Sequence, residues 1–93
     1  MAAACRSSRT GNGALADGGT VMTSAPSDLL FLAGMTGTTF TAPGPGFTTR
    51  VITAPDGDVV ADAVAGSAGS YGATATLGSG TWLMQIAAFA VAP

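Results

Sequence analysis

Between Ser70 and Leu77 the chain alternates without a slip. Tyr71, Ala73, Ala75 and Leu77 are apolar, while Ser70, Gly72, Thr74 and Thr76 are small or hydroxylated. A period of two puts the two sets on opposite faces of an extended strand, so the segment predicts a β-strand with one face in a core and one in water. Gly78, Ser79 and Gly80 break the pattern. Thr81 to Val91 then resumes it, with Trp82, Met84 and Ile86 in one phase. The end of the chain therefore predicts two successive strands.

The same logic extends upstream. Thr20 to Ser24 is a short strand candidate, and Ala25 to Asp28 a turn, since Pro26 fixes φ and Asp28 can bond its own backbone nearby. Leu29 to Met35 is nearly continuous apolar sequence. Its shortness and Gly34 favour a strand over a helix. Thr36 to Thr41, around Phe40, is another strand candidate. Pro43, Gly44, Pro45 and Gly46 can sustain neither ladder nor helix, which makes 42–47 a loop with Phe47 folded back on the core. Thr48 to Ala54 is β-branched. Pro55, Asp56, Gly57 and Asp58 form a hairpin cue, with Val59 to Ala65 as the partner strand. Gly66 to Gly69 turns the chain once more. Six or seven short strands at this spacing predict an all-β fold, an antiparallel β-sandwich of jelly-roll or immunoglobulin-like kind. Residues 1–19, rich in Ala, Ser, Gly and Arg, are expected to form a disordered or irregular leader, with a short irregular strand packed at a sheet edge as the alternative, and 20–93 a single β-sandwich domain. The expected core is Leu30, Leu32, Phe40, Val51, Tyr71, Ala73, Leu77, Trp82, Met84, Ile86 and Phe89. Met22, Met35 and Phe31 are read as further core filler.

Composition narrows the function classes. Charged residues are 9% of the 93, against about 25% in typical soluble domains. There is no Lys, Glu or His. Arg6, Arg9 and Arg50 carry all the positive charge, and Asp17, Asp28, Asp56, Asp58 and Asp62 all the negative charge. A net charge of −2 gives no electrostatic footprint for nucleic acid or for anionic lipid. No apolar stretch approaches the ~20 residues of a helical membrane span. The N-terminus lacks the apolar run of a signal peptide. Cys5 is the sole cysteine, so no internal disulfide and no cysteine metal site is expected. A weak net charge also favours self-association.

The C-terminal half carries a resemblance. Phe47 to Thr53, Asp56 to Asp62, Gly69 to Leu77 and Gly80 to Phe89 resemble the strands of a recurring, largely uncharacterised β-sandwich module of bacterial exported, surface or phage-like structural proteins. Positions 82–89 match that family's last strand, which reads approximately Trp-x-Met-Gln-x-Ala-x-Phe. Ser27 to Leu32 resembles its early strand, where a polar pair precedes an apolar run. The resemblance covers about residues 25–92 and implies a sandwich fold and an extracellular, cell-surface or virion-associated setting. It implies no catalytic motif. Longer relatives place more strands before the early run, so the resemblance also implies that this sandwich is incomplete.

Few residues are candidates for chemistry. Tyr71 and Trp82, with Phe47, are the rings that could meet a glycan, since a flat apolar face with a polar tip stacks on sugars. Their apolar phase-mates place Tyr71 and Trp82 in the core instead. Asp56, Asp58 and Asp62 could supply oxygens to Ca²⁺, but calcium wants six to eight ligands. Turn chemistry accounts for the acids at 56 and 58 without a metal. Hydroxyls abound, yet no His or Lys stands ready to activate one. Gly44 to Gly46 and Gly78 to Gly80 lack the lysine of a phosphate loop. The expectation is a non-catalytic structural or binding module without a cofactor, a rigid β scaffold that associates with itself through β edges. A carbohydrate-binding module, a small carboxylate hydrolase and a truncated piece of a larger protein are the alternatives.

Overall fold

The computed structural model describes residues 2–23 and 27–90. It is an open, antiparallel, all-β sheet of six strands: β1 (Ala2–Thr23), β2 (Leu29–Thr36), β3 (Phe40–Pro43), β4 (Thr48–Ile52), β5 (Val59–Val64) and β6 (Gly69–Ala90). The order across the sheet is β1-β6-β2-β5-β4, with β3 also paired to β6. The spine is β6. Along one side it takes β1 for nearly its whole length. Along the other it takes β3 at Ala75 to Leu77 and β2 at Trp82 to Phe89.

The two strands expected at the end of the chain are thus one. Gly78 to Gly80 is an irregularity rather than a turn: Gly13 pairs with Gly80 and Leu15 with Thr76, so β6 takes four steps while β1 takes two. Across it the buried set changes phase, from Ala73, Ala75 and Leu77 to Met84, Ile86 and Ala88. Hydroxyls close the gap that opens opposite. The Thr36 hydroxyl donates to the Thr81 carbonyl at 2.6 Å, and the Thr38 hydroxyl to the Gly78 carbonyl. The Gly78 N–H donates to the Thr39 carbonyl at 2.9 Å.

A second irregularity shapes β1. Asp17 pairs with Thr74 and Thr20 with Gly72, which inserts one extra residue at Gly18–Gly19. Gly19 has φ +88°, a value only glycine reaches cheaply, and its N–H donates to Asp17 Oδ1 at 2.9 Å. The bulge lies against Met84. The Ser7 hydroxyl, eleven residues earlier on the same strand, donates to the Gly18 carbonyl at 2.7 Å. The sheet therefore bends until the two halves of β1 meet beside the core.

One cluster fills the interior: Leu30 and Leu32, Phe40, Val59 and Ala61, Ala16 and Val21, and the six buried β6 residues named above. Phe47, Ile52, Ala63, Tyr71 and Trp82 pack on it half-buried. The β4–β5 hairpin forms as its sequence predicts. Thr53 and Asp58 close it backbone to backbone at 2.8 Å, and Gly57 occupies φ +73° with Thr39 directly against it.

Several expectations change. Residues 2–19 are not a loose leader but most of β1, held by backbone pairing to β6 rather than by an apolar face of their own. Val51 is 45% exposed instead of buried. Thr49 pairs with Ala61 and Val51 with Val60, so a bulge at Arg50 throws Val51 to the far side and leaves Ile52 facing the core. Phe89 is half-buried on the side away from Met84 and Ile86, as alternation from those residues requires. Phe31, Met22 and Met35 also face outward. Two of the strands are long, 22 residues each. The turn at Ala25–Pro26 and the chain beyond 90 lie outside the described residues.

Candidate functional site

The rings do not converge. Tyr71 and Phe47 line one hollow of about 300 Å³, with Leu30, Ala63 and Val64. Trp82 lines another of about 540 Å³, with Gly11, Met35, Thr36 and Thr81. The two rings are eleven positions apart on β6, on the order of 30 Å of extended strand, so they cannot share one sugar. The polar tip of Tyr71 is already used: its hydroxyl donates to the Ser67 carbonyl at 2.6 Å and accepts from the Ser67 N–H at 3.3 Å. The Trp82 ring lies directly against Gly11, so close that a Cβ at position 11 would overlap it. Its Nε1 is buried without a hydrogen-bond partner.

The acids are likewise apart. Asp58 Oδ1 accepts from the Thr36 N–H at 3.2 Å, tying the hairpin to the end of β2. Asp62 is held by Arg50, whose Nε and a terminal nitrogen each donate to a carboxylate oxygen at 2.8 Å. This two-pronged contact, reached because the bulge turns Arg50 toward β5, lowers the Asp62 pKa and raises that of Arg50. Asp56 stands exposed on the turn. Among the described residues no group of three or more acids, cysteines or histidines gathers around a point that could hold a metal ion. Asp28 is buried at the start of β2 with Oδ2 unpartnered.

What the sequence reading missed is the outward face formed by β1, the second half of β6, β2 and β5. In an antiparallel sheet, directly paired residues share a face. Arg6 pairs with Ala87, Ala87 with Phe31, and Phe31 with Asp62, which makes one straight row across four strands. The next row is Ser8, Gln85, Ala33 and Val60, and beyond it Leu83 lies beside Met35. At the other end Phe89, Leu29 and Val64 form a further row, wholly apolar. Phe31 is 37% exposed, Met35 57% and Val64 68%. A hollow of about 510 Å³ lies between Arg6, Ser8, Phe31, Ala33, Gln85 and Ala87. The apolar run at 29–35 held the signal: Phe31, Ala33 and Met35 are as apolar as Leu30 and Leu32, so neither side of β2 is polar along this run.

No protein-family model matches the chain, and no curated protein or solved structure gives a significant match to it.

Proposed function

We propose that this chain is a non-catalytic structural module of an exported or surface-assembled protein. It serves as a rigid β scaffold and adds to other copies through its sheet. In this reading the bent sheet is the sandwich, of jelly-roll or immunoglobulin-like kind, with its two halves covering a common core. The observation that supports it is the free edge of β1. That strand of 22 residues ends the sheet, and its outer backbone groups have no strand beside them among the described residues. Long unpaired edges add strands readily unless guarded by charge, proline or strong bulges. Arg6, Arg9 and Asp17 are the charged residues of β1 and it holds no proline; its bulges break the edge, and the longest regular stretch left open runs from Cys5 to Gly13.

Sedimentation velocity across a hundredfold concentration range tests the reading. Self-association is expected, and the pair Leu15→Glu and Met22→Glu, both exposed on β1, should remove the larger assemblies that grow through the β1 edge. A chain that stays monomeric throughout would end the proposal.

A further inference from the structure

We infer that the outward face of β1, β6, β2 and β5 is covered by the same face of a second copy, related by a two-fold axis that runs along the strands between β6 and β2. This rests on the scaffold reading and names its partner surface.

The central row carries the argument. Its order across the sheet is Arg6, Ala87, Phe31, Asp62. A two-fold axis between β6 and β2 reverses that order in the second copy. Arg6 then lies over Asp62, and the Phe31 ring over Ala87. The match is cation over acid and large over small, made twice by the one operation, as an isologous interface requires. Arg6 is exposed and makes no ion pair among the described residues. Asp62 accepts one bond per oxygen from Arg50, and a carboxylate has about four lone-pair positions, which leaves room for a second guanidinium. The flanking rows fit the same axis: Leu83 falls over Met35, and Phe89 over Leu29. Sheets packed this way stand about 10 Å apart with strands within about 30° of parallel, so register holds best at the middle row.

Area sets the strength. The two-fold axis superposes four strands; about 4.8 Å apart and seven residues long, they present about 440 Å² of flat sheet per copy, or about 880 Å² for the pair. That lies below the usual range of stable interfaces, so the dimer forms weakly, with dissociation in the micromolar range or above.

Sedimentation equilibrium of the full chain tests this. The expected results are a reversible dimer, loss of dimer by at least tenfold in Phe31→Ser, and a several-fold loss in Arg6→Asp. Arg6 is exposed on the edge strand, so Arg6→Asp reads out the interface even if Phe31→Ser perturbs folding; circular dichroism and urea midpoints separate the two effects. The Leu15→Glu and Met22→Glu pair, which lies off this face, should leave the dimer intact. If the edge pair abolishes association while Phe31→Ser and Arg6→Asp do not, the face inference falls and the scaffold reading stands. A wild-type chain that is monomeric at all concentrations overturns both.

Discussion

The two halves of β6 share one strand and one core, yet they meet opposite surroundings. In the first half, Ala73, Ala75 and Leu77 point in while Ser70, Thr74 and Thr76 point out. In the second, Met84, Ile86 and Ala88 point in while Leu83, Ala87 and Phe89 point out, with Gln85 the one polar member beyond Thr81. The inward sets are interchangeable in kind. The outward sets are not. An inward pattern reports folding; an outward pattern reports what the folded sheet meets, and here only the first half is made for water.

Substitutions can break or sharpen that contrast. The largest effect is expected from Ile86→Ala, which should lower unfolding free energy by about 2–5 kcal/mol in urea titrations. Leu77→Ala, in the other half, should cost an amount in the same range, because both residues belong to one buried cluster. A cost confined to one half would mean two separate cores. Next comes Gly34→Ala. A Cβ there would stand 2.8 Å from the Phe40 ring and 2.9 Å from Met84, so both must yield, at about 1–3 kcal/mol. Gly57→Ala, at the β4–β5 turn, forces a side chain into φ +73° and should cost about 1–3 kcal/mol, read from the thermal midpoint. Thr76→Val on the wet face should change stability by no more than about 0.5 kcal/mol, although Thr76 meets the Thr41 hydroxyl at 2.9 Å.

The smallest effect belongs to the Arg50–Asp62 pair. Arg50 holds the Asp62 pKa below its usual value. A carboxylate whose pKa is lower folded than unfolded stabilises the fold above its unfolded pKa of about 3.9, and that contribution fades as pH falls through the folded value. Arg50→Ala should therefore lower stability slightly at neutral pH, leave it unchanged where Asp62 is protonated in both states, and so flatten the acid limb of the profile. The pair is exposed, so added salt should blunt it too. An acid limb identical in the two proteins would show that the contact has no influence in solution.

Much of this was readable in the residues, and the unreadable parts have physical causes. The alternation of 70–77, the run at 29–35 and the Asp56–Gly57 turn each state their local structure, because burial and turn geometry act on single residues. The first strand has no such signature. It pairs through backbone groups, which every sequence possesses, and its bulge at Gly18–Gly19 scrambles the phase of the buried residues Ala16 and Val21. Val51 misled for the same reason: one extra residue at Arg50 exchanges the two sides of β4. The candidate surface stayed hidden because it spans strands far apart in sequence. Arg6, Phe31, Asp62 and Ala87 become neighbours only through pairing, and nothing local in the chain specifies those partners.

The indole resting on Gly11 has a practical consequence. Trp82 is the molecule's one tryptophan, and its ring bridges the first and last strands at a point away from both chain ends. Its emission therefore gauges whether those strands remain zipped. A red shift that precedes the loss of far-ultraviolet dichroism would reveal peeling of the ribbon as a separate early event, visible without any attached dye.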